Sequence, residues 1–183
     1  MSQNANPTLA HVWLDGDAFR GVAGIAMPTD PFAETIANMD AFGGIEAGFE
    51  PSAEQSVDKK KVWNYRKAAY KVTRDPLSEG LKFRCLDNNK AVALTRAQGG
   101  KITEKNGLYL LEKGVGEEFS LLVRFDDGAE KAGIWCDRVT LAGPATRTGI
   151  DGSNIDGWEF DIAFLSVPME IMPALPSGIT LTP

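Results

Sequence analysis

Residues able to perform catalysis or to hold a metal ion are sparse in this 183-residue sequence. It contains one histidine, His11, and two cysteines, Cys85 and Cys136. Histidine-based triads and multi-histidine metal sites need more material than this. The cysteines match no ligand spacing and fall in predicted strands, where buried reduced thiols are the common state. We therefore expect no catalytic residue, no metal, no cofactor and no enzymatic activity.

The segment 151–157, DGSNIDG, is similar at first sight to a calcium-binding loop. Ser153 and Ile155 occupy positions where ligands are required, however, and no glutamate closes the loop. The phosphate-binding pattern G-x-x-x-x-G-K-[ST] and the nucleophile pattern G-x-S-x-G are both missing from the sequence. We predict that segment 151–157 is a polar turn.

The clearest chemical signal is a basic stretch at residues 58–74, which carries seven basic residues and one acidic residue. Because the whole chain has a net charge of −6, the remaining residues sum to about −12. Lysines interleaved with aromatic residues could bind a nucleic-acid backbone and stack bases. They could equally protect an edge strand or long hairpin from unwanted pairing, or form an arm that docks on an acidic face of a like subunit.

The acidic remainder favours the docking arm, since an acidic body repels nucleic acid. Our hypothesis is that the lysines and Arg66 form charged contacts between subunits, with Trp63 as the apolar anchor. The predicted inter-subunit contacts are Lys59, Lys60, Lys61, Trp63, Tyr65 and Arg66.

The element that organises the remaining chain is a hairpin predicted over 116–141, with its turn at Asp126-Asp127-Gly128. Its first strand places Phe119, Leu121, Val123 and Phe125 on one face. In its second strand, Ile134 and Cys136 oppose Trp135 and Val139, so both faces are apolar. Strands of this kind have both faces covered, and we expect one cover to be the chain's own core and the other a neighbouring subunit.

The other predicted elements follow from alternation, capping residues and glycine or proline breaks. They are a strand over 11–19 with Val12 and Leu14 inward, a short helix over 32–39, and a weak strand over 45–57 broken at Pro51. Later come a strand over 80–86, a helix capped by Asp87 and ending near Ala97, and strands over 107–112 and 158–166.

These elements predict a single, mainly β domain, a β-sandwich or partly closed barrel with one packed α-helix. We expect a flexible N-terminal arm at 1–10, the β domain at 11–166 with a long loop or arm at 50–79, and a proline-rich extension at 167–183. No stretch is apolar enough for a membrane helix, and the N-terminus does not resemble a secretory signal. We therefore expect synthesis in the cytoplasm and no membrane partner.

The order of these elements resembles the major tail protein, or tail tube protein, of long-tailed bacteriophages with non-contractile tails. The resemblance covers most of residues 10–166 and lies in layout rather than in a diagnostic motif. The segments that carry it are HVWLDGDAF, MPTDPFAETIANMDAFGGIEAG, KKKVWNYRKAAYKVTRDP, GLKFRCLDNNKAVALTRAQGG and GWEFDIAFL.

This resemblance implies a structural protein of the virion tail, made in the host bacterial cytoplasm and assembled as stacked hexameric rings. By its position, the long loop would tie one ring to the next, so the predicted contacts of the basic stretch would be inter-ring contacts. The ring would bind further copies of itself, a tape-measure protein, and tail terminator and tail-tip proteins, with DNA as non-specific cargo in the lumen. The related tube of type VI secretion systems shares the fold. Two alternatives stay open: a β-sandwich binding module or minor tail component that recognises a host surface ligand, and a nucleic-acid-binding protein.

Overall fold

The computed structural model describes residues 9–64 and 68–173, which contain thirteen strands and one helix. In chain order they are β1 (Asp15–Val22), β2 (Met39–Ala41), β3 (Ile45–Glu54), β4 (Val57–Lys60), β5 (Lys71–Arg74), β6 (Ser78–Cys85), α1 (Lys90–Ala97), β7 (Lys101–Lys105), β8 (Leu108–Glu112), β9 (Phe119–Asp126), β10 (Lys131–Leu141), β11 (Thr146–Arg147), β12 (Trp158–Phe164) and β13 (Met169–Ile171).

Most strands form one antiparallel sheet with the order β2-β1-β9-β10-β12-β6-β3, while β11 pairs with β12 and β13 with β10. Two separate hairpins, β4–β5 and β7–β8, stand apart from this sheet. The sheet curls until Phe49 of β3 meets Phe125 of β9, with ring centroids 5.5 Å apart. The mainly β class with one helix is confirmed, and the pairing of the described strands is an open path rather than a closed barrel.

The concave side of the curled sheet encloses the larger of two cores. Phe42, Phe83 and Phe160 meet there with ring centroids 5.2–5.9 Å apart, in tilted or edge-on arrangements that aromatic rings favour. Helix α1 closes this core with Ala91 and Val92, which are fully buried. The predicted alternation of β12 is confirmed, because Trp158, Phe160, Ile162 and Phe164 all contact this core.

The opposite face of the central hairpin has a second core, and the chain itself covers it. Leu122 and Trp135 pack there against Phe19 and against Ile36, which is 4% exposed. Residues 25–39, together with Ile171 of β13, supply this cover. The expectation that a neighbouring subunit covers this face is therefore wrong.

The helix predicted over 32–39 is wrong, and the second core explains why. Residues 31–38 form turns and bends. The Asp30 carboxylate accepts a hydrogen bond from the Phe32 N–H at 2.9 Å, and the Arg124 guanidinium donates to the Ala33 carbonyl at 2.6 Å. A helix needs that carbonyl as the acceptor for the N–H four residues later. Asn38 then adopts a φ of 60°, which leads the chain into β2.

A β-bulge in β10 corrects the predicted facing of Val139. The pairing of β10 with β9 shifts register between Cys136 and Val139. Since a bulge adds a residue to one strand, it reverses the alternation beyond it. Val139 therefore lies in the larger core with Cys136, whereas Trp135 lies in the second core.

The N-terminal strand begins later than predicted, at Asp15, and the predicted inward residues point outward. Val12 is 74% exposed and Leu14 77% exposed. Trp13 lies between them and is 38% exposed, and its ring packs against Phe125 and stacks on His11. The prediction of Val12 and Leu14 as inward residues is therefore wrong.

Helix α1 is capped by Asn89 instead of the predicted Asp87. The Asn89 side chain accepts from the Val92 N–H at 3.1 Å, while the Asp87 carboxylate accepts from the Gly44 N–H at 3.1 Å.

The predicted strand at 107–112 exists as β8, but it pairs with β7, which the sequence analysis missed. Their turn is Asn106-Gly107, whose φ angles of 53° and 75° suit a tight hairpin.

Strand β3 continues through Pro51, where the sequence analysis expected a break. It pairs with β6 on one side and lies at the end of the sheet. Proline is tolerated on an edge strand because its missing N–H can face away from the ladder. The edge position therefore explains why β3 continues through Pro51, although the sequence pattern predicted a break there.

Arg20 of β1 is a buried cation that joins three elements. Its guanidinium contacts Glu117 at 2.7 Å, donates to the Thr95 hydroxyl of α1 at 3.0 Å, and lies 4.3 Å from the centroid of the Phe119 ring. Burial lowers the pKa of Arg20, and Glu117 opposes this effect. The contacts satisfy a charge that would be costly to bury alone.

The second core predicts the effect of Ile36→Ala in the dilute, unassembled chain. Removing this side chain leaves a cavity beside Trp135 and is expected to lower the free energy of unfolding by about 2–5 kcal/mol. Urea denaturation at low protein concentration measures this loss. The exposed Leu14→Ala is the control, with an expected change within about 0.5 kcal/mol. An unchanged midpoint for Ile36→Ala would show that residues 25–39 do not cover this face.

The turn of the central hairpin predicts a pH-dependent effect of Asp127→Asn. The Asp127 carboxylate accepts hydrogen bonds from the Glu130 and Ala129 N–H groups and contacts His11 at 2.8 Å, which lowers its pKa to about 2. A lowered pKa stabilises the folded state above the ordinary value of 3.8, and this contribution is lost as the pH falls towards 2. Asp127→Asn should therefore destabilise the protein clearly at about pH 7, and the difference from the unmodified chain should shrink between about pH 4 and pH 2.

Urea midpoints of the two proteins across this range test the effect, because other carboxylates titrate equally in both. Glu104→Gln, at an exposed position on β7, serves as the control and should show little difference at any pH. A destabilisation by Asp127→Asn that is the same at about pH 7 and pH 2.5 would contradict the assignment.

Candidate assembly surface

The basic stretch folds as a hairpin arm between β3 and β6. We define the basic arm as residues 55–77, of which the structure describes 55–64 and 68–77. Its strands β4 and β5 pair from Val57↔Arg74 to Lys60↔Lys71, and all eight of their residues are exposed. Backbone hydrogen bonds from Tyr70 to Lys60 and from Asp75 to Ser56 extend the ladder at both ends. The arm is therefore held by its own hydrogen bonds.

Positive charge is concentrated in the basic arm without matching acids. Lys60 contacts Asp58, yet it also lies directly opposite Lys71, and like charges at opposed positions destabilise a strand pair. Of the cations that the structure describes in the arm, Lys59, Lys61, Lys71 and Arg74 form no ion pair with another described residue. An external anionic surface would relieve this repulsion.

The apolar component of the arm is also unusually exposed. Trp63 is 86% exposed, and Val57 and Val62 are about two-fifths exposed. Large apolar side chains grouped on one exposed element mark a protein-interaction surface. The basic arm therefore presents an aromatic anchor beside its lysines.

The structure brings four of the six predicted contact residues together on this arm: Lys59, Lys60, Lys61 and Trp63. The other two, Tyr65 and Arg66, lie outside the described residues. The role of all six as inter-subunit contacts stays a prediction.

Five arginines outside the basic arm, in contrast, are each paired with a nearby acid. The pairs are Arg20–Glu117, Arg84–Glu46, Arg124–Asp17, Arg138–Glu118 and Arg147–Asp156. Outside residues 58–74 the chain has 12 basic residues (19 minus 7) and 24 acidic residues (25 minus 1), so this part of the chain is net negative.

The outer face of β3, β6 and β12 shows where part of this negative charge lies. Cross-strand register places Lys82 between Glu50 on β3 and Asp161 on β12, and Lys82 contacts the neighbouring Glu159 at 3.1 Å. The hydrogen bond and charge of Glu159, with Glu50 and Asp161 nearby, raise the pKa of Lys82. An excess of acids therefore surrounds this lysine.

A second exposed surface, missed by the sequence analysis, is the β7–β8 hairpin. Leu108, Tyr109 and Leu110 of β8 are all more than half exposed, with Tyr109 at 73%. The Asn106-Gly107 turn between two short strands was the available signal. With helix α1 this hairpin borders a groove of about 470 Å³, whose lining includes Leu94 and Ile102.

The residues first considered for chemistry have structural partners. His11 contacts Asp127, and the Asp151 carboxylate accepts from the Ser153 and Asn154 N–H groups, which lowers its pKa. Burial raises the pKa of Cys85 to about 12, which keeps it a thiol at neutral pH. No metal-binding group of three or more histidine, cysteine or acidic side chains occurs in residues 9–64 and 68–173.

Helix α1 has eight residues, and no helix in the described part of the chain is long and apolar enough to cross a membrane.

Comparison with known proteins gives little information on identity. No protein-family model matches the chain, and no curated protein matches it. Among solved structures, the chain is similar to Hcp1 from Salmonella typhimurium, with 11% identity over 85% of this chain and 91% of that chain and a TM-score of 0.36. This TM-score is too low to carry an argument, so the functional conclusion depends on the geometry of the molecule itself.

Proposed function

We propose that this protein is a structural subunit that binds copies of itself and assembles into rings that stack as a tube. The observation that carries the proposal is the basic arm, an exposed hairpin with an exposed tryptophan on an otherwise acidic domain. Opposite charge on two surfaces of one chain makes each copy a suitable partner for the next. A role for the arm in nucleic-acid binding is less favourable because the domain around it would repel phosphates.

The arm and its complementary surface are different parts of the chain, so the contact is head-to-tail. Contacts of this type generate a ring when the rotation closes and a filament when it does not. Closure also suits strand β3, which among the described strands pairs on one side only, with β6. An open edge of this length invites pairing with another chain, and a closed ring limits that pairing to defined neighbours.

The more specific form of the proposal is a tail tube protein of a long-tailed bacteriophage, located in the virion tail after synthesis in the host cytoplasm. Its support is the resemblance in element order together with the self-complementary charge. In this role the tube would surround a tape-measure protein, end at tail terminator and tail-tip proteins, and conduct DNA as non-specific cargo. The acidic outer face of β3, β6 and β12 suits a surface along which DNA passes without binding.

Assembly of the purified protein is the first test of this proposal. We expect negative-stain electron microscopy across a concentration series to show rings, and tubes with a central channel at higher concentration. Sedimentation velocity on the same samples gives the accompanying mass distribution. Monomers at every concentration, also after addition of pre-formed assembly ends, would contradict self-assembly and favour the binding-module alternative.

Reversal of the arm's charge is the second test. The variant Lys59→Glu, Lys60→Glu, Lys61→Glu should raise the concentration needed for assembly by about tenfold or more, because like charges across an interface cost several kcal/mol. The fold should be unchanged, since these side chains are exposed. Circular dichroism and urea denaturation check the fold, and electron microscopy with sedimentation checks assembly.

The matched control reverses three exposed lysines on or beside the β7–β8 hairpin, Lys101→Glu, Lys105→Glu and Lys113→Glu. It changes the net charge by the same amount and should assemble at nearly the original concentration. Equal loss of assembly in both variants would show that the effect is not specific to the basic arm and would contradict its assignment as the contact.

A further inference from the structure

A groove of about 400 Å³ lies where the main sheet divides. Strand β12 lies between β10 and β6 in the sheet and ends at Phe164. Beyond that residue the sheet is split, so that β6 and β3 form one wall of the groove and β10 and β13 form the other. The apolar lining residues that matter here are Pro51, Ala53, Ile134, Phe164 and Pro168. The described chain leaves this groove open to solvent.

Two carboxylates line the groove, one on each wall. Glu79 precedes Gly80 of β6, and Glu170 is the middle residue of β13. Neither side-chain carboxylate forms an ion pair or a hydrogen bond with any described residue, although the Glu79 side chain is half-buried. An unpaired carboxylate at a partly buried position loses hydration without gaining a partner, so a cation supplied from outside would stabilise it.

Strand alternation shows that both carboxylates point to the side of the sheet that encloses the larger core. Glu79 shares its face with Leu81 and Phe83, which are buried in that core. Glu170 pairs with Ile134, on the face opposite to Trp135 and the second core. The acids therefore lie at the open end of the curled sheet, beside apolar walls.

We propose that this groove receives the basic arm of a second copy of the chain, with Trp63 against the apolar walls and the arm lysines at Glu79 and Glu170. The inference rests on the proposed function and names the acceptor for its arm. The charges are complementary, since the arm holds cations without partners and the groove holds carboxylates without partners. A tryptophan that is buried at an interface and surrounded by polar contacts typically contributes a large share of the binding free energy.

The described part of the same chain's arm does not line the groove. It leaves the sheet after Glu54 and returns at Ser78, next to the groove residues Ala53 and Glu79, and its strand residues are exposed. A second copy is therefore the natural donor. Because each acceptor groove adjoins the root of its own arm, one docking event places the next arm at a defined position in the assembly.

Charge exchange between the two surfaces tests the groove directly. The groove variant Glu79→Lys, Glu170→Lys should raise the assembly concentration by about tenfold or more, as for the arm variant. A chain that combines both sets of substitutions restores opposite charge and should recover most of the loss. Assembly is followed by sedimentation and electron microscopy, and circular dichroism checks the fold.

Two further variants keep the result interpretable. Glu104→Lys, Glu112→Lys on the β7–β8 hairpin makes the same change in charge at exposed sites away from the groove and should assemble normally. Glu79→Gln, Glu170→Gln keeps the side-chain shape, removes the charge and should weaken assembly by a smaller factor, which covers the case in which lysine at position 79 disturbs folding.

The outcomes separate the groove from the proposed function. Normal assembly of both folded groove variants, with the unmodified chain forming rings or tubes, would overturn the groove and leave the function standing. Loss without recovery in the combined chain would overturn the pairing of this groove with this arm. Failure of the unmodified chain to assemble under any condition would overturn the proposed function and the groove together.

Discussion

Burial of strand β9 on both faces is the constraint that organises this molecule. Leu121 and Leu122 are consecutive, so their side chains point to opposite faces, and both are fully buried. One face needs the curled sheet and helix α1, and the other needs residues 25–39 with the returning β13. Because the chain provides both covers, the domain can fold before it meets another copy, and assembly can use surfaces outside the two cores.

Local patterns predicted the elements whose structure depends on their own residues. The Asp126-Asp127-Gly128 turn is recognisable because both aspartates accept hydrogen bonds from nearby N–H groups and Gly128 has a φ of 90°. The alternation of β12 was equally clear. The helix expected over 32–39 failed because Arg124, distant in sequence, takes a carbonyl that the helix needs, and Val139 was placed on the wrong face because a bulge leaves no strong local signal.

The basic arm and its proposed acceptor groove also differ in how far the sequence predicts them. The basic arm is a continuous stretch, so its charge and its aromatic residues could be read from composition. The acceptor groove combines residues of β3, β6, β10, β12 and β13. Glu79 and Glu170 are ordinary surface acids in the sequence, and only their positions on opposite walls make them notable. No pattern along the chain could have predicted that pairing.

Because the arm is exposed, a single arm contact binds two copies of the chain only weakly. Ion pairs at an exposed surface contribute only about 0–1 kcal/mol each, so lysines on carboxylates cannot alone hold two subunits together. The apolar walls and Trp63 add desolvated area, yet one such contact stays modest. In the proposed stack of closed rings every subunit would donate one arm and accept another, and once one arm has docked, the remaining contacts between two rings would be intramolecular, with a high effective concentration. Contacts that are weak singly and strong collectively let misplaced subunits dissociate while completed rings persist.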